Sequence, residues 1–305
     1  MSFRRKHRVL LPAAGILLAG CAAPSPEDSA REARLQQYCR ESADSPAHYR
    51  AKMIRDPYWV SRREALTGSS LQADKAELRR SLEKLESEIL TGRNWPHPVP
   101  RAAIPFTDSP PRIDGIPRPD EWRHALSYRG EYLLNSDRRT GSETEWKLLY
   151  DRKFLYFAVR VFDDAVLPGP ADRPYLGDSV ELFLHPDRRL ADYLEIVVSA
   201  GGHLYMTRAA QTEKRHYDLA RFRSPEVRAE ASHFAAGYCV EGRIPFHILP
   251  GYLHGNEPAP GHPMNFMFLR CDRDRQGRYS RSAPVPFLYD GHNIYGYIRG
   301  TLSPP

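Results

Sequence analysis

Seven short runs of residues with the composition and alternation of β-strands constrain the fold of this chain more than any other sequence feature. They occupy residues 146–150, 154–161, 179–184, 193–199, 203–207, 237–245 and 265–270. Turn residues separate several of them, such as Asp151-Arg152-Lys153 and Gly201-Gly202. Many short strands without long helices between them predict two packed antiparallel sheets, a mainly β sandwich of immunoglobulin-like or jelly-roll-like type.

The chain before this region has a different composition. Leucine and isoleucine at 71, 78, 82, 85 and 89 recur at helical spacings, and Gly92 is a plausible helix end. We therefore expect a small α-helical spacer or stalk at 21–93, and docking of its helices on a protein partner is the alternative. Six prolines lie between residues 94 and 111, a density that predicts a stiff, extended linker before a sandwich at 112–303.

The N-terminus has the layout of an export signal. A cationic stretch at 4–8 precedes an apolar run at 9–19, which is too short to span a bilayer as a mature helix. The run ends in Leu18-Ala19-Gly20-Cys21, which resembles the lipobox of bacterial lipoproteins. We expect residues 1–20 to be removed and Cys21 to be acylated, an ordinary signal peptide being the alternative. Ala22 after the cysteine favours the outer membrane, facing the periplasm or the cell surface.

The net charge of +6 is mostly a property of this signal, because four of its cationic residues precede position 9 and the remainder carries only +2. Binding to nucleic acid is therefore not expected. The export prediction permits disulfides. Cys239 and Cys271 fall in two predicted strands and could form one, which would leave Cys39 unpaired; two buried free thiols are the alternative.

Several motifs in order along the chain resemble the family 9 carbohydrate-binding modules, a group of DOMON-like β-sandwiches. The resemblance covers about residues 100–303. Its motifs are Ile113-Asp114-Gly115, Asp120-Glu121-Trp122 with Ala125, Val159 to Asp164, Gly177 to Leu184, Val240 to Phe246, Gly261, Asn265-Phe266 with Arg270, and Tyr295-Gly296-Tyr297. We interpret Trp122 and Trp146 as packing residues of this fold.

The resemblance implies a sugar site in which aromatic rings stack on the sugar and polar groups bind its hydroxyls. Tyr175 stands where sugar-binding members have a tryptophan, and Glu181 matches their hydroxyl acceptor. Arg208 and Arg270 lie near positions of ligand-contacting groups. Tyr279 is the one aromatic residue between Cys271 and Pro284. An outward charge without a ligand is the alternative for Glu181 and the two arginines.

Two further expectations concern ions. Arg273, Arg275, Arg278 and Arg281 surround Tyr279, and this density favours an anionic glycan or is simply solvated charge. Asp163 and Asp164 could hold the structural calcium that family members often contain. Such a pair also commonly ends a strand and starts a turn.

The sequence lacks the common catalytic motifs, so we predict a non-catalytic, membrane-anchored glycan-binding lipoprotein linked to polysaccharide use. An envelope structural or assembly lipoprotein with a degenerate sugar site is one alternative. A haem-binding redox domain that uses Met206, Met264 or Met267 is another, because related sandwiches bind haem.

Overall fold

The computed structural model describes residues 99–305, except 135–137, 142, 187–191, 211–219, 253–256, 288–290 and 293. The predicted signal peptide, Cys21, Cys39 and the predicted helical segment at 21–93 lie outside the described residues. In the described part of the chain the regular structure consists of β-strands and three short 3-10 turns. No helix in that part is long and apolar enough to cross a membrane.

The strands are β1 (Arg101–Ile104), β2 (Leu126–Arg129), β3 (Tyr132–Leu133), β4 (Thr144–Tyr150), β5 (Phe154–Phe162), β6 (Ser179–His185), β7 (Asp192–Ser199), β8 (Leu204–Ala210), β9 (Ala220–Arg221), β10 (Arg228–Phe234), β11 (Gly237–Pro245), β12 (Asn265–Arg273), β13 (Tyr279–Ala283) and β14 (Arg299–Leu302). Five of them form one antiparallel sheet in the order β10-β11-β5-β4-β2, and seven form a second in the order β3-β13-β12-β6-β7-β8-β9. The predicted β-sandwich is confirmed, and the seven predicted runs correspond to β4, β5, β6, β7, β8, β11 and β12.

Turn chemistry fixes the connections that the sequence predicts. The Asp151 carboxylate accepts hydrogen bonds from the backbone N–H groups of Lys153 and Phe154, each at 2.7 Å, and so closes the β4–β5 turn. Gly202 has a φ of +79°, which the turn between β7 and β8 requires.

The proline-rich segment differs from its prediction as an extended linker, because β1 lies within it. This strand pairs in parallel with β14, and Ile104 is fully buried in the core. Pro100 and Pro105 flank the strand, and their carbonyl oxygens accept hydrogen bonds from Arg299 and Tyr150. Prolines at the two ends of a strand leave its ladder intact, so their density does not prevent pairing.

The two sheets pack through their facing side chains. Trp146 of β4 contacts Phe268 of β12 with ring centroids 5.0 Å apart, and Tyr128 of β2 contacts Phe266 at 6.5 Å. Since strand side chains alternate, the even-numbered residues of β12 face the five-stranded sheet, and the odd-numbered ones face away from it. This parity decides which residues can reach a ligand on the outer face.

The motif around Asp114 packs on the opposite outer face of the sandwich. Trp122 is buried with Ile113 in a separate cluster, and its indole N–H donates to Glu241 at 2.8 Å. Gly115 has a φ of +80°, and a Cβ there would lie 2.9 Å from the backbone of Ala231. The prediction that Trp122 and Trp146 are packing residues is confirmed.

Candidate functional site

The outer face of the seven-stranded sheet carries the residues that the resemblance singles out. On β6, Val180 and Leu182 point into the core, whereas Glu181 points the other way. The residues aligned with Glu181 across the sheet are Leu269 on β12 and Val197 on β7, and Val197 is in turn aligned with Tyr205 on β8. Tyr205 therefore shares the face of Glu181.

One end of this outer face is covered by the C-terminal part of the chain. Phe183 is only 1% exposed and lies in ring contact with His292 and Tyr297, at centroid distances of 5.5 and 6.1 Å. The other end, beyond Glu181, holds Tyr279, whose side chain is exposed. A ligand therefore has access at the Tyr279 end.

Three tyrosines meet at this open end, and we call them the tyrosine platform: Tyr175, Tyr205 and Tyr279. The rings of Tyr175 and Tyr205 pack edge to face with centroids 5.4 Å apart. The Tyr279 hydroxyl donates a hydrogen bond to the backbone carbonyl of Tyr175 at 3.3 Å. Two of the predicted site residues, Tyr175 and Tyr279, are thus brought together, and Tyr205 joins them.

The loop that carries Tyr175 is held tightly in place. Tyr175 lies in a 3-10 turn, Pro174–Leu176, after a segment that folds back on Gly177. A Cβ at Gly177 would lie 2.2 Å from the backbone nitrogen of Gly169, so only glycine allows this approach. The Asp178 carboxylate accepts hydrogen bonds from the backbone N–H groups of Leu167 and Arg273 and so ties the loop to β12.

Glu181 lies among these tyrosines as a buried carboxylate, 3% exposed. The Cys271 thiol donates a hydrogen bond to its Oε1 atom at 3.2 Å, and no lysine or arginine of the described residues lies within ion-pair distance. Tyr279 is 39% exposed, and the partial burial of its ring, followed by the Cys271 thiol and the Glu181 carboxylate, raises its pKa above the ordinary value. A thiol is a weak donor, so this carboxylate keeps acceptor capacity for the hydroxyl groups of a ligand.

Two of the four arginines near Tyr279 face the platform, and two do not. Arg273 and Arg281 lie over the Tyr279 ring, at 5.6 and 5.4 Å from its centroid. Arg275 instead donates to the backbone carbonyl of Asp164, and Arg278 pairs with Asp274 at 2.6 Å. Arg221, which the sequence did not single out, lies 5.0 Å from the Tyr205 ring centroid.

Arg208 and Arg270 lie away from the platform. The prediction that they share a ligand site with Tyr175 is therefore wrong. Arg208 donates to the backbone carbonyl of Ile248 at 3.2 Å and packs over Phe222. Arg270, 5% exposed, is an even-numbered residue of β12 and points between the sheets. Both were predicted from the family resemblance, which compares positions along the sequence and does not fix the face of a strand.

Arg270 belongs to a buried charge network at the end of the sandwich. Its guanidinium lies 3.0 Å from Asp163, 2.8 Å from Asp272 and 3.5 Å from Glu131. A cavity of about 880 Å³ opens beside these residues, on the side of β12 opposite to the tyrosine platform. The cavity and the predicted sugar site are therefore different places.

The same region contains the carboxylates that could hold calcium. Oxygens of Asp163, Asp178 and Asp272 lie within 4.8 Å of one another. Burial, with a smaller contribution from the charges of Asp163 and Asp272, raises the pKa of Asp178 to about 6. Oxygen ligands in such a cluster fit calcium. Asp163 of the predicted pair belongs to the cluster and also starts a turn by accepting from Ala165; Asp164 lies outside it and is exposed.

The disulfide considered for Cys239 and Cys271 is absent, because both are buried free thiols. Cys239 lies on β11 of the five-stranded sheet, aligned with Arg160, and Cys271 lies on β12 of the other sheet, aligned with Arg281. The inward neighbours of the cysteines are Tyr238, Val240 and Arg270, so the two thiols point away from each other on opposite outer faces. The three methionines considered as haem ligands, Met206, Met264 and Met267, are packed in the hydrophobic core.

Comparison with known proteins identifies the family. The family model for carbohydrate family 9 binding domain-like proteins matches residues 113–297. The chain belongs to this family. A family 9 carbohydrate-binding module from Caldicellulosiruptor kristjanssonii, solved with cellotriose, is 21% identical; the match covers 67% of this chain and 94% of that one, with a TM-score of 0.50. The same organism's family 9 module solved with glucose is 20% identical, covers 67% and 96%, and has a TM-score of 0.50.

A putative carbohydrate-binding protein from Bacteroides uniformis is 15% identical, with coverage of 67% and 99% and a TM-score of 0.50. At these identities the solved structures support the fold of the family 9 domain and not its ligand. Comparison with curated proteins gave no match.

Proposed function

We propose that this family 9 protein is a lipoprotein, anchored through acylated Cys21, that binds glycans on the tyrosine platform without catalysing their cleavage. Family membership supports glycan recognition. The solved relatives carry cellotriose and glucose, which are built from pyranose rings. The anchor rests on the lipobox-like Leu18-Ala19-Gly20-Cys21, and a role in polysaccharide use rests on the carbohydrate-binding family.

The observation that carries the binding proposal is the position of Glu181 beside the exposed ring of Tyr279 and the half-buried rings of Tyr175 and Tyr205. A pyranose needs an apolar surface for its C–H groups and strong acceptors for its hydroxyl groups. The platform supplies the rings, and Glu181 supplies a carboxylate whose donor within the described residues is one thiol. A hydroxyl that donates to this carboxylate would form a charge-assisted hydrogen bond, which is stronger than a neutral one.

Calcium bound between Asp163, Asp178 and Asp272 would supply positive charge to that cluster. Independently of an ion, Asp178 joins the loop of Tyr175 to β12 through Leu167 and Arg273. Because the cluster lies between the sheets, its role in this proposal is to position the platform and not to contact the ligand.

A glycan array tests the binding proposal, with the full chain carrying Cys21→Ser as the probe. We expect saturable binding to at least one glycan class. Tyr175→Ala should weaken it by about 1–3 kcal/mol through loss of ring contact, without changing the circular dichroism spectrum. Tyr128→Phe, on the other sheet, is a control that should bind as the parent does. Absence of binding to any glycan would refute the proposal and favour a structural or assembly lipoprotein.

The anchor is tested separately in cells. Two or three acyl chains hold a protein firmly on a membrane, at about 0.8 kcal/mol per buried methylene. We expect the wild-type chain in the membrane fraction and the Cys21→Ser chain in the soluble fraction. Membrane fractionation of Cys21→Ser would place the anchor elsewhere.

A further inference from the structure

Three arginines around the tyrosine platform have no acidic partner among the described residues, whereas several arginines elsewhere in the domain do. Arg118 pairs with Asp114, Arg129 with Glu145, and Arg278 with Asp274. By contrast, Arg221, Arg273 and Arg281 form no ion pair with a described residue. Three guanidinium groups at one site thus keep their charge uncompensated by a direct carboxylate contact.

Each of these guanidiniums is held by contacts that leave donors unused. Arg221 is exposed, and its contact is with the ring of Tyr205. Arg273 donates its Nε to Leu176 and its Nη1 to Gly277, both backbone carbonyls, which leaves Nη2. Arg281 donates its Nε to the Tyr279 hydroxyl at 3.3 Å, which leaves both terminal nitrogens.

The carboxylates on this outer face are more deeply buried than the three arginines. Glu181 is 3% exposed, and Glu195 is 8% exposed and bound by the Thr207 hydroxyl at 2.6 Å. Burial lowers the pKa of Arg281, but the Glu181 charge and neighbouring groups raise it by more than burial lowers it. Arg281 therefore stays protonated. A ligand would therefore meet a cationic rim around the rings and a buried carboxylate below them.

We propose that the tyrosine platform selects acidic glycans, with anionic groups of successive sugar units bound by Arg221 beside Tyr205 and by Arg273 and Arg281 beside Tyr279. This inference rests on the proposed glycan-binding function and defines its ligand class. Planar guanidiniums form paired hydrogen bonds with carboxylates and with sulfate-type oxygens. A uronic acid or a sulfated sugar presents such a group at its edge, while a free ring hydroxyl can still donate to Glu181.

The test uses the full chain with Cys21→Ser and titration calorimetry against matched oligosaccharides. The probes are oligogalacturonate and its fully methyl-esterified form, in which a methyl group on each carboxyl removes the charge. A heparin oligosaccharide serves as the sulfated probe, and cello-oligosaccharides serve as neutral glycans. We expect an acidic probe to bind at least about tenfold more tightly than the neutral ones. The uronate and sulfate arms then distinguish the two sources of the anion. This affinity should fall as the salt concentration rises from 50 to 500 mM, because the Debye screening length shortens roughly threefold over that range.

Arg221→Gln is the most informative variant, because its guanidinium is exposed and its removal leaves no buried group without a partner. It should reduce the affinity for the acidic probe about tenfold, a larger loss than for the neutral probes, so the acidic preference falls. Arg228→Gln, an exposed arginine on the other sheet, is the matched control and should have no effect. Equal binding of charged and neutral probes, unaffected by Arg221→Gln, would overturn the acidic preference and leave glycan binding intact. No binding to any probe would overturn both.

Discussion

The Cys271 thiol donates a hydrogen bond to Oε1 of Glu181 at 3.2 Å, so a neutral, weakly polar group is the direct partner of a buried carboxylate. Carboxylates that serve the fold alone have stronger partners in this domain. Glu241 accepts the indole N–H of Trp122 and the backbone N–H groups of Asp114 and Ile116. The two glutamates therefore predict opposite mutational outcomes.

Glu181→Gln should weaken glycan binding and spare the fold. The substitution removes a charged acceptor, and a charge-assisted hydrogen bond contributes roughly 1.5–3 kcal/mol, so the dissociation constant should rise about ten- to a hundredfold. The melting temperature should change little, because a thiol donor contributes weakly. Calorimetric titration and thermal denaturation measure the two effects. Unchanged affinity would remove Glu181 from the ligand contacts.

Glu241→Gln should have the reverse effect. An amide can keep one acceptor oxygen but not all three hydrogen bonds, and the unmatched buried donors should cost about 2–4 kcal/mol of unfolding free energy. Chemical denaturation measures this loss. Glycan affinity should stay at the wild-type value, because Glu241 lies on the opposite outer face. A loss of affinity at full folding would contradict the separation of the two faces.

Cys239 and Cys271 should remain reduced and unreactive in the folded protein. Burial raises the pKa of Cys239 to about 11, and burial with the Glu181 charge raises the pKa of Cys271 above its ordinary value, so little thiolate exists at neutral pH. Alkylation followed by peptide mapping should label both cysteines only after denaturation. A peptide that links the two without reductant would contradict the structure.

Calcium should raise the thermal stability if it occupies the cluster of Asp163, Asp178 and Asp272. Binding to the folded state alone shifts the unfolding equilibrium by mass action. We expect a higher melting temperature in calcium than in a chelator, and loss of this difference in Asp163→Asn. The neighbouring Asp164→Asn is the matched control and should keep it, since Asp164 lies outside the cluster. Equal melting temperatures in the wild type would mean that no calcium binds.

Asp178 should make the stability of the calcium-free protein fall as pH rises from about 4 to about 6. Its folded pKa is about 6 against an ordinary value of 3.8, because burial and neighbouring carboxylates disfavour its charge. In this window the folded state holds a proton that the unfolded state has released, so raising the pH favours unfolding, by at most 1.4 kcal/mol per pH unit for one group. The difference in unfolding free energy between wild type and Asp178→Asn measures it, and a difference that does not vary with pH would contradict it.

The fold was predictable where the residues of a strand have the composition typical of β-structure. β4, β5 and β11 are rich in apolar, β-branched and aromatic residues, and their turns carry clear signals. β1 was missed because its flanking prolines indicated a linker, and β10 because its sequence RAEASHF contains few large apolar residues. β1 gains its pairing from β14, which is distant in the chain, whereas β10 is a polar edge strand that forms a hairpin with β11; local composition reveals neither.

The site was predictable only in part, because faces and register are not local properties. Tyr175 and Tyr279 were identified, but Tyr205 and Arg221 were not, since they reach the platform through the pairing of β7, β8 and β9. The sequence also did not show on which face of the sheet the Arg270 side chain lies. Phe266, Met267, Phe268 and Leu269 precede it and are all buried, so β12 has no apolar alternation near that point.

Side chains alternate along β12 between the interior of the sandwich and its outer face, so neighbouring residues of this strand are under different structural constraints. Arg270 and Asp272 belong to the interior charge network, whereas Cys271, itself buried, and Arg273 face the outer side of the sheet beside Glu181 and Tyr279. We expect substitutions of the half-buried Arg273 to disturb folding less than substitutions of the buried Arg270. A one-residue insertion, however, would send the ionic groups outward and the thiol inward, and abolish recognition and stability together.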